Sequence, residues 1–188
     1  MDTFGYWPSP SDDHVGEYLS YAWEQCGLEG YDFAEADRHA ADLAARLERW
    51  GQGQEAVETL LARRSGERAV PIIAGVLGNT HQYELAVNVP NDGLIPNLPD
   101  WAIVEVPATV DANGVHGVHI GPLPEPIAAM CRTQIAVIDR VVEAGVHGDR
   151  NAALQALLLD PVISSISQAQ AILDEMLQAH QAFLPQFR

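Results

Sequence analysis

Basic residues are scarce in this chain, with 10 Lys plus Arg against 26 Asp plus Glu and a formal charge of −16. A field of that sign repels phosphate backbones and anionic lipid, so neither nucleic-acid nor peripheral membrane binding is expected, and a solvated acidic surface is the simple reading. Cysteine is scarcer still. Cys26 and Cys131 stand far apart with no C-x-x-C spacing, which argues against a disulfide framework and a zinc knuckle. No apolar run approaches the length of a membrane span, and Met1 to Pro8 is neither basic nor followed by an apolar signal core. The expectation is a soluble, cytoplasmic protein. Repeats and low-complexity segments are also absent. What is present, 188 residues with 47% apolar and 19% charged, suits one globular domain with a real core.

Periodicity divides the chain unevenly. A helix is expected over Ser11–Gln25, two more between Phe33 and Arg64 with a turn at Gly51-Gln52-Gly53, and another over Ser65–Leu77 closed by Gly78-Asn79. Strands are expected at Tyr83–Val89, Ala102–Val106 and Gly117–Ile120, with Asp111-Ala112-Asn113-Gly114 turning between the last two. Pro122, Pro124 and Pro126 introduce a helix whose core stripe would be Ile127, Cys131, Ile135, Ile138 and Val142. Asp149 caps a short helix ended by Pro161, and a last helix presents Ala169, Ile172, Leu173, Met176 and His180. The fold class is α+β: a mostly helical domain with a small antiparallel sheet.

Several motifs invite chemistry. Gly51-Gln52-Gly53-Gln54 opens like a dinucleotide fingerprint but follows a helix and has no third glycine in register, so it reads as an interhelical turn. His116 and His119 would point to opposite faces of a strand and cannot converge on one metal with His81. Cys131 falls on an apolar stripe as a small core residue, and Cys26 has no basic neighbour to make it a nucleophile. Asp12, Asp13 and His14 are richer, because two carboxylates and an imidazole suit proton transfer or metal binding, with helix capping as the plain alternative. Ser65-Gly66-Glu67 is either a cap or a hydroxyl and carboxylate offered to a sugar. The stretch Asn88–Pro107 is the most informative: two β-branched runs joined by a long turn of Asn, Asp, Gly and Pro, whose backbone groups need partners outside a regular ladder. Loops of that kind either make a structural corner or carry binding and catalysis.

Taken in order, these segments resemble glycoside hydrolase family 4, the NAD- and metal-dependent glycosidases. Phe4-Gly5-Tyr6 followed by Ser11 to Leu19, then Arg64-Ser65-Gly66-Glu67, Asn88–Pro107, Asp111 to His116, Ile120 to Pro124 and Ala153 to Pro161 match the carboxy-terminal part of that family in series. The resemblance covers nearly the whole chain and is most specific at Asn88–Pro107. It implies hydrolysis by an exception to the two-carboxylate route. NAD⁺ oxidises the sugar's 3-hydroxyl and a divalent metal, commonly Mn²⁺, polarises the ketone. A base removes the proton at C2, the leaving group departs, and water adds before the hydride returns.

The resemblance further implies that the NAD-binding fold and the metal-holding Cys and His precede this segment, so NAD and Mn belong to a complete enzyme and neither is expected to bind this chain tightly. It places the base on Asp13, with Asp12 one register away and Tyr18 as the fallback, and makes His14, Asn91 and Glu67 substrate contacts or supports just behind such contacts. The implied partners are an amino-terminal NAD-binding half or further copies of the chain, together with a glycoside. The paucity of basic residues argues mildly against a 6-phosphorylated substrate. The alternative is a catalytically inactive sugar-binding or oligomerisation module.

Overall fold

The computed structural model describes residues 4–6, 18–21, 33–62 and 66–187. Of the helix expected over 11–25, only 18–21 are described, and these are turn and irregular chain rather than helix. Helices α1 (Phe33–Gly51) and α2 (Glu58–Leu61) are separated at the expected glycine turn, where Gly53 N donates to Trp50 O at 3.1 Å. Trp50 is buried, and the Arg46 guanidinium lies over its ring at 4.8 Å from the centroid, within cation–π range.

Helix α3 runs Ala69–Gly78, so it begins at Ala69 and not at Ser65. Arg68 is its N-cap residue, and Pro71 sits in the first turn, where a missing N–H removes no intrahelical bond. The end matches expectation: Asn79 takes the left-handed conformation (φ 48, ψ 52) that closes a helix.

The sheet contains β1 (Gln82–Pro90), β2 (Ile103–Asp111) and β3 (Gly114–Gly117), antiparallel in that order. Proline is unusual in a central strand because it cannot donate to a ladder. Pro107 is accommodated by a bulge in β1, whose register shifts between Glu84, opposite Ala108, and Val87, opposite Val106. The bulge also switches which alternate residues of β1 face inward. The third strand lies earlier than the expected Gly117–Ile120, because only Ala112 and Asn113 separate the paired residues Asp111 and Gly114. Beyond Gly117 the chain leaves the ladder, and Ile120 N donates to Leu94 O at 2.9 Å. A side chain at Gly117 would collide with Leu94 and come within 3.2 Å of Val89 and 3.3 Å of Val106, so glycine permits this close approach.

Helices α4 (Glu125–His147), α5 (Arg150–Leu159) and α6 (Ile166–Ala179) follow. Pro124 and Pro126 start α4, and Asp149 caps α5 by accepting from Asn151 N and Ala152 N. The expected α4 stripe is half right. Cys131 and Ile135 pack on the core, but Ile138 and Val142 are 60% and 57% exposed; the buried positions are Ala128, Val137 and Ala144. Small buried residues, Ala144 on α4, Ala152 and Ala156 on α5 and Ala169 on α6, mark where the helical layer is tightest.

The main core joins Ile95, Leu98, Val104, Val106 and Ala128, with Val89, Leu94 and Leu123 against it. Leu94, Ile95 and Leu98 come from the connection between β1 and β2, so a loop supplies core. Asn91 makes that workable. It is fully buried; its Oδ1 accepts from Ile95 N at 2.8 Å, and its Nδ2 donates to the carbonyls of Ile95 (3.0 Å), Leu98 (3.1 Å) and Pro99 (3.1 Å). Asn97 ties the same loop outward, accepting from Leu123 N at 2.9 Å and donating to Leu123 O at 2.8 Å. Arg132 on α4 adds a bond to Asn97 O at 2.9 Å and pairs with Glu125.

Replacing Asn91 with alanine strands a buried N–H and several carbonyls, at a cost of about 3 kcal/mol. We expect a lower urea midpoint with an unchanged slope. A shift within experimental error would show that Asn91 does not organise the loop.

Candidate functional site

Of the residues expected to contact substrate, Glu67 and Asn91 lie at different places in the fold. Asp12, Asp13 and His14 lie outside the described residues. Glu67 precedes α3, exposed and without a hydrogen bond or ion pair among the described residues. Asn91 lies past the far end of β1, about 20 Å along the chain from Glu84 at the usual rise per residue. Its amide is buried and spent on loop backbone, which leaves it no direct reach to a sugar and gives it a structural role. The loop folds around it.

Tyr18, the alternative base, is half exposed beside α4. With Leu19, Met130, Cys131, Gln134 and Pro161 it lines an open groove of about 380 Å³. The Cys131 thiol has its pKa pushed up by burial, opposite to what a thiolate ligand or nucleophile needs. A second groove of about 350 Å³ between α4, α5 and α6 is lined by Val137, Leu157, Leu173 and Phe187. The single carboxylate there, Asp160, accepts from the Val162 amide, and the groove offers no acid–base pair.

One charged cluster is built to tight geometry. Glu84 faces inward on β1 and is only 2% exposed. Arg68 grips it with two parallel bonds, Nε to Oε2 and Nη2 to Oε1, both at 2.8 Å. Gln82 Nε2 donates to Glu84 Oε1 at 2.7 Å and to Pro71 O at 3.0 Å, binding strand to helix. Gly75 leaves room for that amide, since a Cβ there would stand 2.9 Å from the Gln82 carboxamide carbon. The Arg68 hydrogen bonds hold the Glu84 carboxyl below its ordinary pKa against the opposing pull of desolvation, with Gln82 assisting. Sequence reading missed this cluster. Its signal was a Gln and a Glu alternating at β1 positions opposite Val110 and Ala108.

At the hairpin tip, Asp111 Oδ1 accepts from Asn113 N at 2.7 Å and meets His116 Nε2 at 3.1 Å. These bonds lower the Asp111 pKa, with the His81 charge contributing last. Among the described residues, no group of three or more His, Cys, Asp or Glu is placed to hold a metal ion. Neither the lone Cys131 nor the hairpin pair fits a manganese site, and the glycine turn after α1 does not fit a dinucleotide site. No helix among the described residues is long and apolar enough to cross a membrane.

A small antiparallel sheet under helices, with a clasped loop between its first strands, defines a class that comparison confirms. The profile of the family 4 glycosyl hydrolase C-terminal domain matches residues 1–163, and the chain belongs to that family. An alpha-glucosidase of Erwinia rhapontici is 35% identical over 98% of this chain and 38% of its own length. Among solved structures, the Bacillus subtilis protein LplD, which bears the name of a glucosidase, superposes with a TM-score of 0.76 at 32% identity over 94% of this chain and 41% of its own. A 6-phospho-alpha-glucosidase from gut microorganisms, solved with NAD and glucose-6-phosphate, gives a TM-score of 0.60 at 31% identity over 63% of this chain and 27% of its own. The chain thus spans about two fifths of the length of the curated relatives it matches.

The Glu84 shift carries a pH consequence. A carboxyl whose folded pKa is depressed stabilises the fold fully above its unfolded value, about 4.3, and loses that contribution as pH falls through the folded value. Melting temperature should therefore fall as the solution is acidified below that value, and the E84Q variant should show a shallower fall. Identical slopes for both proteins would contradict the assignment.

Proposed function

We propose that this chain forms the substrate side of a glycosidase that opens O-glycosidic bonds by oxidation, elimination and addition. The observation that carries the reading is the family match over residues 1–163. In this reading the redox chemistry belongs to a dinucleotide-binding half that works with this domain in the cytoplasm. Bare apolar positions support a surface that meets further protein, either that half or another copy of the chain. Trp101, Ile103, Ile138 and Val142 are each more than half exposed around one shallow groove.

This chain's own contribution to the reaction is a proton acceptor. Asp13 takes the proton from the sugar carbon next to the glycosidic centre, and Glu67 and His14 hold hydroxyl groups so that this carbon faces it. Asp12 and Tyr18 stand near in sequence as alternative bases. The sugar itself stays unassigned, since the relatives above are named for both plain and 6-phosphorylated glucosides.

The test is reconstitution with a dinucleotide-binding half of the family, NAD⁺ and Mn²⁺, using a chromogenic glycoside. Asp13→Asn should lower kcat by at least about a hundredfold, as loss of a general base does, while complex formation persists. Full activity in D13N, or a silent complex of the unmodified chain, would overturn the reading. Sugar binding that persists unchanged in D13N, without turnover by either protein, would favour the inactive binding module.

A further inference from the structure

Resting on the glycosidase reading, we infer that Glu84 is a positioning residue: acting through Arg68, it fixes the turn that presents the Glu67 carboxylate to a sugar hydroxyl.

The Arg68–Glu84 pair is oddly placed for a stabilising device. Arg68 stands at the N-cap of α3 with no side-chain cap bond, and its cation faces the positive end of the helix dipole. A buried carboxylate must also be stripped of water, and apolar residues of similar size commonly serve stability as well or better. What the pair does supply is geometry. A planar fork on a carboxylate locks both partners, and Gln82 locks the carboxylate again from the strand.

The locked residue is the immediate neighbour of Glu67, one Cα step of about 3.8 Å away. Residues 66 and 67 lie outside α3 and the sheet, whereas the Arg68 carbonyl accepts from Ile72 N at 2.9 Å in the first turn of α3. Arg68 is therefore the tether of this short stretch on its α3 side. Glu67 is exposed, and among the described residues its carboxylate makes no bond. A sugar offers adjacent hydroxyl donors to such a carboxylate, and holding it in advance spares the ordering cost at binding.

A double-mutant cycle in the assembled enzyme tests the inference. E84Q keeps the shape but breaks one arm of the fork, and should raise KM about tenfold with kcat changed less than about threefold. E67A should raise KM by a similar factor, and E84Q added to E67A should add nothing. An equal KM effect of E84Q in both backgrounds, or an E67A enzyme with normal KM, would overturn the inference while D13N still reports on the glycosidase reading. Should E84Q fold poorly, the R68M/E84L pair keeps the strand packed without the fork and is expected to give the same KM change.

A readout on the chain itself is independent of turnover. The ¹⁵N order parameter of the Glu67 amide should drop from about 0.85 to below about 0.6 in E84Q. An unchanged order parameter would overturn the inference whatever the activity.

Discussion

The amide of Asn91 is the constraint on which the rest of the structure depends. A long polar connection between two strands would normally stay on the surface, because burying it strands backbone donors and acceptors. Here the connection is turned inward, and Ile95 and Leu98 enter the core beside Val104 and Val106. One side chain makes this possible by answering the Ile95 amide and three loop carbonyls at once. Asn97 then hands the organised loop to Leu123 ahead of α4, and Arg132 reinforces the joint. Sheet and helices are coupled through two asparagines as much as through apolar contact.

Most element positions were legible because they rest on local chemistry. Asn79 and Pro124 mark helix ends by backbone conformation, Asp149 caps α5 by its own carboxylate, and the Asp111–Gly114 turn reverses the chain. The misses needed knowledge of partners. Periodicity put Ile138 and Val142 on one face with Cys131 but could not say that the covering elements stop short of them. The start of α3 moved to Ala69, where Arg68 answers a carboxylate 16 residues away, which no local rule anticipates. The third strand moved because the turn before it is only two residues long.

The candidate site was legible only as an inventory. The resemblance implied that Asn91 contacts substrate, yet whether a polar loop residue points outward or inward depends on the path of the whole loop. The polar pair that does carry a precise geometry, Arg68 with Glu84, looked like ordinary surface charge in an acidic chain. Its meaning emerges from the pairing of β1 with β2, which turns Glu84 inward beneath α3. The family match places the chain among the C-terminal domains of family 4 glycosyl hydrolases, and the structure describes the sheet, loop and helices of that domain.

The asparagine clasp sets the loop between β1 and β2 within the chain itself. Native-state hydrogen exchange on the chain alone tests it directly. The amides of Ile95 and Leu123, which donate to Asn91 and Asn97, should exchange only through global unfolding, as slowly as the hydrogen-bonded amides of β2. Exchange of these two amides through local opening, at rates typical of surface loops, would contradict the account.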